Sequence, residues 1–319
     1  MNIAQISAGL DVKAAKILSI LLPIYNFIRM AEFRKNTYQY IHDADKSTFT
    51  NSAARALNGP AVRDAQAPNK LLKALALYSR EISVDKAVLS DLNVNPDPSN
   101  LNSFYDNQLN SLCDKIMVEV QNDMVAGTGA SNKMLGLLNI IKDADAAGQT
   151  DGLLGYENAE LAARNKRLTL SLSDVDDQNQ LVEEISLAKA MVPGANLIVA
   201  GESMAARLTT IARRQNAQAD GIDSFGQQVA VFDRTPIAVV PDAVLGFSMN
   251  SGAETNTSSI FVLRNAEYQG VCFSTNSGLQ FKDFDQVEST VAGVAHFSFN
   301  LNTTVEKLNA IYRISGIKR

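Results

Sequence analysis

The chain has 319 residues, 46% hydrophobic and 20% charged, and its 29 basic and 34 acidic residues leave a formal net charge of −5. This is the composition of an ordinary folded protein, long enough for a large core or two lobes, and no dominating basic run marks it as a tight nucleic-acid binder. Two histidines, His42 and His296, argue against a His-built metal centre or Ser-His catalysis, and two cysteines, Cys113 and Cys272, lack metal-ligand spacing.

The first strong signal is the apolar run ILSILLPIYNFI at 17–28. It is too short to span a bilayer and Pro23 interrupts it. Asp11 precedes it and no small-residue cleavage site follows, which argues against a secretory signal. It reads as an arm whose sticky side needs cover, for instance from a neighbouring subunit. Residues 31–80 hold two strand-like pieces, Thr37–Ile41 and Ala74–Tyr78, around about 30 residues without periodicity and a turn at Asn58-Gly59-Pro60. So long a connection is either disordered or a projecting element that docks elsewhere. A short helix is predicted over Val84–Leu92, with Ser83 as its cap.

Pro96 and Pro98 then stop the chain, and one long helix is predicted over 100–126. Leu101, Tyr105, Leu109, Leu112, Ile116, Val120 and Met124 recur every three or four positions and give it one apolar face. At 1.5 Å per residue it would run about 40 Å. Gly127 is expected in the left-handed conformation that ends it. The polar loop G-T-G-A-S-N-K-M carries the chain on to Gly136-Leu137-Leu138-Asn139.

Beyond Asn139 the pattern is mixed. Strands are predicted at Arg167–Leu172, Asn196–Ala200, Gln228–Phe232, Pro236–Val240, Ser259–Leu263 and Gly270–Ser274, and helices at Gln178–Met191 and, capped by Ser203, at Ser203–Arg214. Pro193-Gly194 ends the first of these helices and Ser277-Gly278 makes a turn. Thr290–Leu301 alternates, with Val291, Ala295, Phe297, Phe299 and Leu301 on one face, and Asn309–Ile317 is expected to pair with it as a second ribbon strand. The fold class is therefore α+β, with a long helix laid on a long β ribbon.

No catalytic, cofactor-binding or metal-ligating residue is nominated. Gly127-Thr128-Gly129 lacks dinucleotide spacing and follows a helix rather than a strand. Asp174, Asp176 and Asp177 could hold a cation, but capping the next helix is the better reading. Glu183-Glu184 read as a solvated face, Arg213-Arg214 as an exposed helix end, and both cysteines as buried free thiols.

In this order, the apolar arm, the long excursion, the Pro-stopped helix with Gly127, Gly129 and Gly136-Leu137-Leu138, the Asn196–Ala200 strand with its Ser203–Arg214 helix and the VAVFDRTPIAVVPD run, and the closing Asn309-Ala310-Ile311-Tyr312-Arg313 strand resemble the major capsid protein of tailed double-stranded DNA bacteriophages, with the Hong Kong 97 type fold. The resemblance covers nearly the whole chain. It rests on order and spacing rather than on one decisive motif.

The resemblance implies an N-terminal arm at 1–30 and an extended loop at 31–80. It implies a peripheral domain of 81–139 and 276–319 built on the spine helix 100–126, and an axial domain of 140–275. It implies a structural, non-enzymatic protein without cofactors. Copies would assemble into hexamers and pentamers of an icosahedral shell that encloses DNA without sequence-specific binding. The expected location is the virion, with the host cytoplasm during assembly, and no membrane contact. The chain leaves no room before the arm for the scaffolding extension of some family members, so a separate scaffolding protein is expected, with a portal and, in some shells, decoration proteins. Some members crosslink a Lys to an Asn with help from a Glu on the long terminal strand. Val291–Leu301 has no acidic residue, so no such bond is expected. Two rivals stand beside this reading. One is an encapsulin-like bacterial nanocompartment, with 14–30 as a cargo-holding helix; the other is a soluble α+β enzyme with an unrecognised site.

Overall fold

A computed structural model describes residues 30–32, 37–42, 69–85, 111, 114–130, 132–149, 156–214, 220–222, 228–266, 270–284 and 292–319. In chain order these form β1 (Met30–Glu32), β2 (Thr37–His42), β3 (Asn69–Ala74) and β4 (Ala76–Asp85). The helix α1 covers 114–126. There follow α2 (Leu137–Ile140), α3 (Asn158–Ala162), β5 (Asn165–Arg167), α4 (Val175–Met191), β6 (Leu197–Gly201), α5 (Glu202–Arg214) and β7 (Asp220–Ile222). The rest are β8 (Gln228–Phe232), β9 (Thr235–Val240), α6 (Asp242–Leu245), β10 (Met249–Ser251), β11 (Glu254–Leu263), β12 (Val271–Phe284), β13 (Ala292–Val305) and β14 (Ile311–Lys318).

The ribbon foreseen near the C-terminus exists, but its partners differ. A four-stranded sheet runs β1-β12-β13-β4, with β12 and β13 antiparallel from Val271↔Val305 to Phe284↔Val294. Ser277-Gly278 is no chain-reversing turn. It lies inside β12, where the register shifts between Thr275 and Leu279, so two small residues are absorbed as an irregularity within the ladder. The helix expected at Val84–Leu92 is also corrected. Ser83, Val84 and Asp85 belong to β4 and pair with Val294, Gly293 and Ala292, while 86–92 lie outside the described residues. Ile82 and Val84 alternate with polar Glu81, Ser83 and Asp85, and pairing with β13 makes that period of two the one that counts.

The helix α1 lies on this sheet. Its Ile116, Val120 and Met124 are buried as their spacing predicts, and Met117 and Val125 join them. They share one cluster with Tyr78 of β4, Phe273 of β12, and Phe299 and Leu301 of β13. The expected start of the helix at 100–110, with Leu101, Tyr105 and Leu109, lies outside the described residues, as does Leu112.

The larger sheet runs β5-β14-β11-β6-β9-β8-β7, with β10 beside β11. Here β14 departs from expectation. It pairs with β11, from Leu263↔Ile311 to Thr257↔Lys318, and with β5, rather than with β13. A one-turn 3-10 helix at Leu308–Ala310 redirects the chain between β13 and β14. Seven of the eight residues of β14 are buried, as suits a strand covered on both faces. The strand expected at Arg167–Leu172 begins earlier, as β5, and continues through backbone bonds from Leu168 N–H to Ser315 O (2.8 Å) and Leu172 N–H to Lys318 O (3.1 Å). Gly316 permits this approach: φ is +82° and a Cβ there would stand 1.9 Å from Leu168 O.

One face of the large sheet is covered by α4 and α5, with Leu181, Ile185, Met204 and Leu208 packed over Ile198, Ile260 and Ile314. The other face, with Leu197, Val199, Phe261, Leu263 and Ile311, belongs to the same cluster as α1 and the ribbon. A single apolar core therefore joins the two sheets.

Candidate functional site: the helix end, the hairpin base and the sheet junction

At the end of α1 the glycine loop folds back on the helix. Gly127 N–H donates to Asp123 O (2.8 Å), Gly136 N–H to Gly127 O (2.8 Å) and Gly129 N–H to Met134 O (3.0 Å). Gly127 does not adopt the left-handed conformation expected of it. That conformation falls to Gly129 (φ 72°) and Asn132 (φ 63°). Glycine is required at 127 for space, because a Cβ would stand 2.3 Å from Met134 O. Asn139 closes the motif by donating its Nδ2 to Ala126 O (3.0 Å) and Gly127 O (2.9 Å), two carbonyls that the helix leaves without partners.

Beside this loop stands the base of a hairpin. Strands β2 and β3 pair with each other, from Thr37↔Ala74 to His42↔Asn69, and form a sheet of their own. Leu75 alone separates β3 from β4. Three residues on, the Tyr78 hydroxyl donates to Asp123 Oδ2 (3.0 Å) and accepts the Met134 N–H (3.4 Å), and Lys133 Nζ reaches Asp123 Oδ1 (3.3 Å). Burial, followed by the nearby Asp123 carboxylate, pushes the Tyr78 phenol far above its ordinary range, against the Met134 bond that lowers it.

The third cluster joins the sheets. Arg313 of β14 is buried, its Nη1 donating to Ile141 O (2.9 Å), its Nη2 and Nε to Ser259 Oγ (3.0 and 3.3 Å), and its plane lying 5.6 Å from the Phe261 ring centre. Burial pulls its pKa down to about 10, only partly opposed by Asp143. Asp143 Oδ1 accepts from Ser315 Oγ (2.8 Å), Arg167 Nε (3.0 Å) and Asn165 Nδ2 (3.1 Å). Burial would raise the Asp143 carboxyl, but neighbouring Ser251, Ser315, Arg167 and Asn165 together hold it below the ordinary carboxylate value.

Asp174 caps α4 by accepting the Asp176 N–H (2.9 Å), and Asp177 accepts the Ser171 N–H (2.7 Å), so two members of the acidic cluster serve the backbone. Ser203 is not the cap expected. It lies inside α5, and its N–H and hydroxyl both donate to Asp242, a carboxylate that suits a helix N-terminus better than a hydroxyl does. Arg213 and Arg214 close α5. Cys272 is a buried free thiol 2.7 Å from Thr304 Oγ1, and Cys113 lies outside the described residues. His42 sits opposite Asn69, and His296 between Lys282 and Glu81, in their sheets. Among the described residues no group of three His, Cys, Asp or Glu could hold a metal, and no helix is long and apolar enough to cross a membrane. Tyr78 and Arg313 stand in the sequence only as strand residues, and Asp123 and Asp143 are not singled out, although a lone Arg in the apolar run Ile311–Ile317 and a lone Asp between Val120 and Met124 are visible signals.

No protein-family model matches the chain, and no curated protein matches its sequence. Solved structures do match. The holo-SrpI encapsulin complex from Synechococcus elongatus PCC 7942 is similar over 92% of this chain and 87% of its own, with 13% identity and a TM-score of 0.60. The capsid of the native GTA particle is similar over 93% and 90%, with 11% identity and a TM-score of 0.60. The capsid of Myoviridae phage XM1 covers 90% and 89%, with 12% identity and a TM-score of 0.53. At such identities the likeness is one of fold, and the chain has the α+β Hong Kong 97 type fold.

Proposed function

We propose that the chain is a major capsid protein that assembles into hexamers and pentamers of an icosahedral phage shell around double-stranded DNA. The observation that carries this is the shell fold, shared with the GTA and phage XM1 capsids over nine-tenths of the chain. The division proposed is an arm at 1–30, an extended loop at 31–80, a peripheral domain of 81–139 and 276–319 on the spine helix 100–126, and an axial domain of 140–275. The β2–β3 hairpin supports the extended loop, and α1 on the four-stranded sheet supports the spine. In this division the peripheral part lends its last strand, β14, to the axial sheet. The partners are further copies of the chain, a separate scaffolding protein, a portal and decoration proteins. The place is the virion, with the host cytoplasm during assembly, and the role is structural rather than enzymatic. A net negative chain suits a container whose DNA must pack without adhering to the wall.

The encapsulin match supports a second reading, a bacterial nanocompartment shell. Negative-stain microscopy of the expressed chain, with and without co-expressed scaffold, tests both. Closed particles are expected, and particles that hold cargo enzyme and no DNA would favour the second reading. Monomers or dimers under every assembly condition would sink both and return the soluble enzyme.

A further inference from the structure

We propose that the outer edge of β5, with the flank of α4 beside it, is a docking surface for an extended segment of a second copy of this chain. The identity of the occupant rests on the shell reading above; the open edge does not.

The backbone shows which groups are free. Among the described residues β5 stands at one end of the large sheet, with β14 on its inner side. Along that side Arg164 O accepts from Arg313 N–H (2.8 Å) and Leu168 N–H donates to Ser315 O (2.8 Å). Further on, Leu170 O accepts from Lys318 N–H (2.7 Å) and Leu172 N–H donates to Lys318 O (3.1 Å). Backbone groups alternate in direction along an extended chain, so the even-numbered residues face β14 and Asn165, Arg167 and Thr169 face outward. The next outward N–H, that of Ser171, is taken by Asp177 Oδ2 (2.7 Å). The three before it have no partner among the described residues, and Arg167 and Thr169 are exposed. The open stretch of five residues is about 16 Å long. Donors and acceptors in that spacing are matched by another extended backbone.

The surroundings fit such an occupant. A cavity of about 480 Å3 lies alongside, walled by Lys166, Thr169 and Leu170 on the strand side and by Asp177, Gln180 and Glu184 of α4. Steps of three and four residues continue that flank of α4 to Leu187 and Met191, which are 52% and 46% exposed. Arg164 Nη1 donates to Met191 O (3.2 Å) and so brings the apolar end of the flank to the start of the edge. Edge strands are commonly guarded by charge. Here Arg167 is drawn away, because its Nε and Nη2 bind Asp143 Oδ1 and O (3.0 and 2.9 Å), and of the two basic residues of β5 only Lys166 is left as a guard. An edge closed to all pairing has no use for a cavity and two bare apolar side chains beside it, whereas an edge that receives a strand uses both. Alternate side chains of the incoming segment face α4, polar or basic opposite Glu184 and apolar opposite Leu187 and Met191. Such a contact joins two different surfaces of identical copies, the head-to-tail type from which rings close.

Amide hydrogen exchange of the full chain, resolved to single residues, tests this in free subunits and in assembled particles. In free subunits Arg167 and Thr169 are expected to exchange fast, and Leu168 and Leu172 slowly. On assembly the Arg167 and Thr169 amides should slow by about 100-fold or more, as amides paired in a sheet do. Thr169→Pro removes one outward N–H and no inward bond, and Leu187→Glu charges the exposed rim. Each should weaken association while the thermal transition stays cooperative, and Leu187→Glu decides alone should Thr169→Pro fail to fold. Closed particles in which Arg167 and Thr169 exchange as in the free subunit, or unchanged assembly of Leu187→Glu, overturn the inference and leave the shell reading standing. Protection that appears only with a co-expressed scaffold gives the edge to the scaffold and overturns the second copy as its occupant. A chain that stays monomeric at every concentration, with and without scaffold, overturns both.

Discussion

Three residues unite segments far apart in sequence, and each carries a prediction. Asn139 satisfies two carbonyls at the end of α1. Asn139→Ala should cost about 1–2 kcal/mol, the value of one or two net hydrogen bonds, read as a lower denaturation midpoint with an unchanged slope. Arg313 is a harder case, because two effects oppose. Met in its place would relieve the desolvation of a guanidinium but would strand Ile141 O and the Ser259 hydroxyl in a dry site. Asp143 draws its hydrogen bonds from Ser315, Arg167 and Asn165, so it is not left bare. The stranded acceptors should decide the sign, and Arg313→Met should destabilise by about 1–3 kcal/mol in the same measurement. Tyr78 gives a pH signature. Its folded value is raised by burial and Asp123, so its contribution is intact below the ordinary phenol value near 10. As pH rises above that value the unfolded chain loses its proton first, and stability falls toward the raised folded value. Tyr78→Phe should flatten the stability curve above pH 10, and equal alkaline slopes in both proteins would refute this.

At the scale of elements, legibility followed the range of the interaction that fixes each one. The helices α4 and α5 were predicted to within a few residues because their apolar period, Leu181 and Ile185 or Met204 and Leu208, is local. The strands β6, β8 and β9 were legible as short apolar runs with turn residues between them. Val84 failed because a β-branched residue beside Asp85 reads equally as a helix start, and only the distant β13 decides for the strand. The placement of β14 failed for a related reason. Its apolar residues fit either sheet, and the chain's redirection at Leu308–Ala310 left no signal in periodicity. The site was less legible than the fold. Glycines at 127, 129 and 136 announced a tight loop, but Asp123, 45 residues from Tyr78, became its partner only through packing.

Among the described residues, two sheets share one core and a third sheet pairs only within itself. Because Leu197, Val199, Phe261 and Ile311 of the large sheet share a cluster with Met124, Phe273 and Phe299, the two sheets resist independent motion: separating them would expose that cluster to water. In the proposed shell, such a body would have little freedom to fit both five-fold and six-fold rings, and the adjustment would fall to elements tied less closely to it. The β2–β3 hairpin is the candidate among the described residues, since its strands pair only with each other. It follows that the hairpin should matter to assembly and hardly at all to folding. Replacing 37–74 with a short Gly-Ser linker should leave a cooperative thermal transition within a few degrees of the parent, because among the described residues no strand of the two large sheets loses a partner. The same chain should lose closed particles and stop at isolated subunits or capsomers by size-exclusion chromatography and negative stain. A collapse of the thermal transition would show that the hairpin holds the body together, and closed particles of normal diameter would show that the adjustment between rings lies elsewhere. Either result would separate the stability of the subunit from the geometry of the shell differently from the division drawn by the core.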